Sequence, residues 1–164
     1  MNARQNFFRF IFPLRKLYWQ ICKPKTFGVK VLIVHPTKKE EVLIVTHAYG
    51  DRKRLNIPGG GYDPKKETPF RAAMREIQEE LGVTLVALHK LGDYYSEGEG
   101  KRDSVIIFRG VLKDSDVLKH NNELREITWM DLRTIRERSN VAKILQHAVA
   151  LYTTSITNDS NAPI

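Results

Sequence analysis

The chain has 164 residues, a formal net charge of +8, 41% hydrophobic residues and 28% charged residues. These values are ordinary for one globular domain with a real core, and they exclude a disordered or low-complexity chain. No apolar run approaches the roughly 20 residues that a membrane-spanning helix needs. Cys22 is the only cysteine, so an internal disulfide is impossible, and we expect a cytoplasmic protein.

The positive charge is concentrated in a basic, aromatic N-terminal arm, which we place at residues 1–24. The first 30 residues contain seven of the 27 Lys and Arg residues and no Asp or Glu. Arg9 interrupts the apolar stretch, which argues against a secretory signal. We expect an amphipathic helix over 13–21 that packs on the domain. Peripheral membrane contact through residues 1–22 and nucleic-acid contact are the alternatives.

A single domain follows the arm over residues 25–156, and a polar tail closes the chain at 157–164. β-Rich runs, a glycine loop at residues 58–61 and helical periodicities alternate along the domain. From residue 153 onward we expect a frayed end. The predicted strands are 28–34, 41–45, 105–108 and 127–129, and the predicted helices are 68–81 and 145–152.

The helix over 68–81 has clear start and stop signals. Thr68 is a suitable N-cap, Pro69 takes the first helical position and Gly82 ends the helix. The apolar residues recur at helical spacing, which predicts one buried face. These residues are Phe70, Ala73, Met74, Ile77 and Leu81.

Three glutamates of this helix form a carboxylate cluster. Glu76, Glu79 and Glu80 are three and four residues apart, and we place them on and beside the flank opposite the apolar face. Ionised carboxylates at this spacing repel one another, and Mg²⁺ or Mn²⁺ would convert the repulsion into ligation. Arg75 can orient the cluster, and Glu67 can hold Arg75. The pattern therefore predicts a divalent-metal enzyme with an anionic substrate.

The segment 61–83 resembles the Nudix box, G-x5-E-x7-R-E-U-x-E-E-x-G-U, in which U is aliphatic. Every defined position of that motif is matched in this sequence. The resemblance implies an α/β fold in which a mixed β-sheet is sandwiched between α-helices. It also implies hydrolysis of a diphosphate linked to another moiety. The matching residues are Gly61, Glu67, Arg75, Glu76, Ile77, Glu79, Glu80, Gly82 and Val83.

The resemblance further implies roles for particular residues. The three clustered glutamates would bind Mg²⁺ or Mn²⁺ together with the carbonyl group of Gly60. Glu79 is assigned both a ligand and a water-activating role, with Arg75 and Glu67 completing the catalytic set. The chemistry expected of such a site is attack of metal-activated water on phosphorus.

Further candidates lie outside the motif. Family members differ in their base, and Glu97, Glu99 and Glu123 are the acidic candidates for it; Glu123 is also a candidate for substrate binding. Tyr49 and Arg54 precede the glycine loop and are candidates for contact with substrate phosphates or the leaving moiety. Solvation alone would also explain these polar segments.

The predicted function is a Mg²⁺-dependent Nudix hydrolase that cleaves the diphosphate linkage of a nucleoside diphosphate derivative or a nucleoside triphosphate. Its expected partner is a small nucleotide substrate. One alternative is an RNA 5′-end pyrophosphohydrolase that uses the basic arm as its RNA contact. Another is a non-catalytic binding or membrane-surface module of the same fold, although the intact box carboxylates argue against it.

Overall fold

The structure is a computed structural model. The basic arm at residues 1–24 and the helix predicted within it are not among the residues that the structure describes. Tyr49 and Glu99 also lie outside them. The described residues are 25–48, 50–97, 102–113, 117–119 and 121–160, without the side chains of 159 and 160.

A mixed five-stranded β-sheet forms the centre of the fold. Its strands are β1 (Lys25–Val34), β2 (Glu41–His47), β3 (Ala87–Ser96), β4 (Arg102–Val111) and β5 (Leu124–Asp131). They lie in the order β3-β4-β1-β2-β5. β1 and β4 are parallel, and the other neighbouring pairs are antiparallel.

Helices cover both faces of this sheet. They are α1 (Pro69–Leu81), α2 (Leu132–Glu137) and α3 (Lys143–Ser160). α1 packs on one face, and α2 and α3 pack on the other. The predicted α/β fold, a mixed sheet between helices, is therefore confirmed. No helix among the described residues combines the length and the apolar character needed to cross a membrane.

The two cores are separated by the alternation of side chains along the central strands. Val29 and Val31 of β1 pack in one cluster with Ile77 of α1. Leu32 packs in the other cluster, with Leu145 of α3. Because β1 is buried on both faces, its sequence is a nearly continuous apolar run rather than an alternating one.

The glycine loop lies against β1, and its carbonyl oxygens accept hydrogen bonds from N–H groups of that strand. The Val31 N–H donates to the carbonyl oxygen of Pro58 over 3.0 Å, and the Val29 N–H donates to that of Gly60 over 2.9 Å. Asn56, just before the loop, pairs with β2. The loop is thus held between the two strands, which fixes the position of its backbone relative to α1.

The sequence patterns did not predict β3 or α2. β3 is an edge strand of mostly half-buried and exposed side chains, so it lacks a clear apolar alternation. α2 has only six residues, too few for a helical period to emerge. It begins because the Asp131 side chain accepts hydrogen bonds from the N–H groups of Arg133 and Thr134.

The expected frayed end from residue 153 is wrong, because α3 continues to Ser160. Tyr152 is fully buried, and its hydroxyl group donates to the Lys39 carbonyl oxygen over 3.0 Å. Ile156, one turn later, packs against the same core. The threonine hydroxyl groups of the last turns bond back to helix carbonyl oxygens, as Thr153 does to Val149. Tertiary contacts therefore extend a helix whose sequence looks polar.

Candidate active site

Both predicted ends of α1 are confirmed. The Thr68 side chain caps the helix by accepting the Arg71 N–H, and Gly82 ends it in the left-handed region with φ 70°. The predicted burial of Phe70 is wrong, since 50% of the residue is exposed. Phe70 lies in the first helical turn and reaches only the edge of Phe108, with ring centroids 6.5 Å apart.

One row of α1 carries carboxylates toward the interior. Ala72, Glu76 and Glu80 are four residues apart and therefore lie along one stripe of the helix. Ala72 is fully buried, and Glu80 is only 4% exposed. The prediction that the three clustered glutamates lie on and beside the flank opposite the apolar face is wrong for Glu80. Its burial is possible because the carboxylate meets a backbone donor in the glycine loop.

That donor is the N–H group of Gly59, which binds Glu80 Oε2 over 2.8 Å. Gly59 has φ 121°, and a Cβ there would lie 2.4 Å from the Val29 carbonyl oxygen. At Gly60, a Cβ would lie 2.6 Å from Glu76 Oε2. Gly59 is therefore required by its positive φ and its close approach to a strand, and Gly60 lets the Glu76 carboxylate lie close to the loop.

Arg75 binds three carboxylates with one guanidinium group. Its Nη2 donates to Glu67 Oε1 over 2.8 Å, and its Nη1 donates to Glu76 Oε1 over 2.7 Å and to Glu79 Oε2 over 3.2 Å. The hydrogen bond from Arg75 lowers the pKa of Glu67 and raises the pKa of Arg75 itself. The structure thus brings Arg75 together with Glu67 and with two of the three clustered glutamates.

The two inward carboxylates have lost much of their solvation. Burial raises the pKa of Glu76, although the hydrogen bond from Arg75 opposes this effect. Burial also raises the pKa of Glu80, although the charge of Lys30 and the Gly59 N–H group oppose it. Loss of solvation outweighs the protein's own donors at both positions. This imbalance is what a bound cation would relieve.

Lys30 is a site residue that the sequence analysis missed. It lies in β1, and its Nζ donates to the carbonyl oxygens of Ile57 over 2.9 Å and Gly59 over 2.7 Å. Burial lowers its pKa, while the charges of Glu80 and Glu76 raise it. A signal was present, because one lysine inside the apolar run Gly-Val-Lys-Val-Leu-Ile-Val must find polar partners on folding.

His47, the last residue of β2, and Glu123 lie at the border of the site. Burial lowers the pKa of His47, and the nearby charge of Lys30 lowers it further. Glu123 lies beside His47 in the fold, because its carbonyl oxygen accepts the Ala48 N–H. The negative charge of Glu123 helps to raise the pKa of Glu80. The structure therefore brings Glu123 close to the carboxylates, whereas His47 was not predicted there.

The structure does not bring Arg54 and Glu97 into the cluster. Arg54 is exposed, and within the described residues it forms no hydrogen bond or ion pair with the glutamates of α1. Its neighbour Leu55 instead pairs with the segment before α3, through the Asn140 carbonyl oxygen. Glu97 is exposed just after β3. Tyr49 belongs to the part of the chain that the structure does not describe.

The chemistry of these donors fits a hard divalent cation, since carboxylate and carbonyl oxygens are the ligands that Mg²⁺ and Mn²⁺ take. In the described ranges, however, no three His, Cys, Asp or Glu side chains are already arranged as a metal-ligand group. Arg75 and the Gly59 N–H occupy oxygen atoms of Glu76, Glu79 and Glu80. A cation would bind through the other carboxylate oxygen of each glutamate or displace one of these donors.

Comparison with known proteins identifies the family. The model of the NUDIX domain matches residues 24–151, which is most of the chain. The chain belongs to the NUDIX domain family. None of the curated proteins matches the sequence. The glutamates and glycines described above therefore lie within a NUDIX domain.

Solved structures of other proteins share the fold. The MutT protein from Methanosarcina mazei Go1 superposes with a TM-score of 0.70 at 23% identity, over 81% of this chain and 96% of that one. A C. elegans Ap4A hydrolase in a binary complex gives 0.68 at 20% identity, over 81% and 98%. The MutT NUDIX hydrolase from Burkholderia pseudomallei gives 0.66 at 19% identity, over 77% and 97%.

Proposed function

We propose that this protein is a Mg²⁺- or Mn²⁺-dependent hydrolase that cleaves the diphosphate linkage of a nucleoside diphosphate derivative or a nucleoside triphosphate. The observation that carries the proposal is the Arg75 network, in which one guanidinium group binds Glu67, Glu76 and Glu79. The network lies beside a glycine loop that binds Glu80. Membership of the NUDIX domain family supports the same reaction class.

In this proposal Glu76, Glu79 and Glu80 would hold the cation, together with the carbonyl oxygen of Gly60. A bound divalent cation supplies positive charge against the phosphoryl oxygens and makes water easier to deprotonate. Arg75 neutralises the carboxylates until the cation binds, and it then keeps them oriented. Glu79 can adjust most easily to the cation, because its side chain is 56% exposed.

Glu79 is the proposed proton acceptor. It is the most exposed of the three clustered glutamates, so water and an anionic substrate can reach its carboxylate. Arg75 Nη1 orients that carboxylate from one side over 3.2 Å. Glu67 fixes Arg75 in turn, with its two carboxylate oxygens at 2.8 Å from Nη2 and 3.3 Å from Nε. The chain thus holds the acceptor through two linked ion pairs.

The test is a screen that separates and detects the nucleotide products, with Mg²⁺ and Mn²⁺, over nucleoside triphosphates, nucleotide sugars, dinucleoside polyphosphates and triphosphorylated RNA. Dinucleoside polyphosphates are included because one structurally similar protein is described as an Ap4A hydrolase. The Glu79→Gln variant should lose about 10²- to 10⁴-fold in kcat, the usual contribution of a positioned proton acceptor. Glu137→Gln is the matched control, since that exposed glutamate of α2 is paired with Arg133.

Wild-type turnover of one substrate class, lost in Glu79→Gln and retained in Glu137→Gln, would support the proposal and name the substrate. Equal activity in the two variants would overturn the assigned role of Glu79. Triphosphorylated RNA is distinguished by salt, because binding of a polyanion weakens steeply as salt is added. Turnover of a small nucleotide should change much less over the same range.

A further inference from the structure

Lys30 approaches the glycine loop from the side of β1 opposite to α1. Its neighbours Val29 and Val31 pack in the cluster that contains α1. Because successive side chains of a strand point to opposite faces, Lys30 leaves β1 on the other face. From there its Nζ reaches the carbonyl oxygens of Ile57 and Gly59, at 2.9 Å and 2.7 Å.

Gly59 is therefore held at both of its backbone polar groups by charged side chains. Its N–H group donates to Glu80 Oε2 over 2.8 Å, and its carbonyl oxygen accepts the Lys30 ammonium group. One of these charges comes from α1 and the other from β1. The orientation of the next residue, Gly60, depends on this arrangement, and Gly60 leaves no room for a Cβ beside the Glu76 carboxylate.

A merely structural role does not require a charge at this position. The residues around it in β1 are Val29, Val31, Leu32 and Ile33, all fully buried and apolar. An ammonium group among them loses solvation, which costs free energy unless its partners compensate. The partners it has are the loop carbonyl groups and the negative charges of Glu80 and Glu76. All of them belong to the candidate site.

We propose that Lys30 is a positioning residue of the hydrolase site: its ammonium group binds the carbonyl oxygens of Ile57 and Gly59 and so fixes the Gly59–Gly60 backbone against Glu76 and Glu80. This inference rests on the proposed function. Lys30 acts through the loop rather than on the substrate. Its loss should therefore lower kcat more than it raises KM, because the carboxylates lose their fixed geometry.

The experiment compares Lys30→Met, which removes the charge and the donors, with Lys30→Arg, which keeps both. Lys38→Met is the matched control, since Lys38 lies in the β1–β2 connection and pairs at the surface with Glu41. Three quantities are measured on the full chain. They are kcat and KM with Mg²⁺, the dissociation constant of Mn²⁺ without substrate, and the amide hydrogen-exchange rates of Gly59 and Gly60.

Lys30→Met should lower kcat about 10- to 100-fold, the usual effect of losing a group that orients metal-site ligands. KM should change much less, the two glycine amides should exchange faster, and the Mn²⁺ dissociation constant should change. Lys30→Arg should recover part of each loss. Lys38→Met should behave as wild type in all three measurements.

A Lys30→Met variant with wild-type kcat, Mn²⁺ binding and glycine exchange would overturn the proposal. So would a loss that Lys30→Arg does not reduce at all. If Lys30→Met does not fold, Lys30→Gln replaces it, because the glutamine amide keeps N–H donors and removes the charge. If the wild type hydrolyses no substrate, the proposed function fails. The Mn²⁺ and exchange measurements still decide whether Lys30 positions the loop.

Discussion

The helices on the two faces of the sheet use their inward-facing rows differently. On α3 the row Leu145, Ala148 and Tyr152 is fully buried and has no ionisable carboxylate. On α1 the row that runs along the glycine loop contains Glu76 and Glu80. Both rows follow the same helical spacing and both lie against the sheet or the loop beside it. Rows with the same helical spacing thus bury apolar side chains on the α3 face of the sheet and carboxylates on the α1 face.

This difference separates stability from activity. Burial of apolar side chains stabilises the fold by about 25 cal/mol per Å² of apolar surface removed from water. A buried carboxylate instead costs free energy unless donors and cations surround it. We therefore expect substitutions on the α3 face to change the free energy of unfolding, and substitutions beside the α1 carboxylates to change metal binding and turnover.

The strongest test on the α3 side is Leu145→Ala. Leu145 is fully buried within the core between α3 and the sheet. Its truncation should lower the free energy of unfolding by about 2–5 kcal/mol, since a buried leucine is lost and a cavity remains. Thermal or urea unfolding measures this change. The activity of the folded fraction should stay that of the wild type.

The control for this change is Val86→Ala, because Val86 is 64% exposed and its truncation leaves no cavity. Its unfolding free energy should move by about 0.5 kcal/mol or less. If Leu145→Ala lowered kcat as much as Glu79→Gln does, the proposed division between the two faces would be wrong.

Two adjacent glycines sharpen the comparison within the α1 side. In Gly60→Ala the new methyl group meets only the flexible end of Glu76, so the fold should tolerate it. The carboxylate must move, and turnover and Mn²⁺ affinity should fall about 10- to 100-fold. In Gly59→Ala the methyl group meets backbone at φ 121°, which should cost about 1–3 kcal/mol of stability.

Gly61→Ala is the size-matched reference, because a Cβ there is in ordinary contact, 3.7 Å from the Phe27 carbonyl oxygen. The measurements are unfolding free energy and Mn²⁺ titration on all three variants. A Gly60→Ala variant that binds Mn²⁺ as well as Gly61→Ala would show that the position of Glu76 beside the loop is not important for cation binding.

The smallest expected effect is a pH dependence at Glu80. Burial raises the pKa of Glu80 in the folded protein above its value in the unfolded chain. Protonated Glu80 is therefore favoured by folding, and its contribution to stability is lost as pH rises through the folded pKa. Glu80→Gln does not titrate. In metal-free buffer its stability relative to wild type should rise from acidic to neutral pH.

Mg²⁺ should reverse this difference at neutral pH, because a cation that binds only the folded wild type stabilises it. Melting temperatures with EDTA and with Mg²⁺ measure both effects. Glu126→Gln is the control, since that side chain is 65% exposed and should show neither trend. A relative stability of Glu80→Gln that falls toward neutral pH in EDTA would contradict the assigned effect of burial.

Local signals predicted α1 and the composition of its charged cluster. Thr68 and Gly82 set the helix ends because capping depends on a few neighbouring backbone groups. Arg75 was expected to meet Glu79 because residues four apart in a helix lie side by side. The box residues were sufficient to predict the family and the fold class, which the family match to residues 24–151 confirms.

Contacts between segments far apart in the chain could not be predicted in this way. Phe70 shares the helical period of the buried residues, yet the sheet extends only to its edge, so it remains exposed. The sequence predicts Glu80 to be a surface glutamate, because no local pattern shows that the Gly59 N–H group faces its carboxylate. The end of α3 depends on Tyr152 and Ile156 reaching the core, which no local pattern at residues 153–160 reveals.

The sequence by itself determined the NUDIX motif, the ends of α1 and the set of carboxylates, because these depend on residue identity and on spacing within one helix. Only the tertiary structure decided which carboxylates are buried and which basic side chain lies near them. Lys30 and Glu80 are fifty residues apart in the chain, and both bind Gly59 because the glycine loop lies along β1. That shared partner is a property of the fold rather than of either segment.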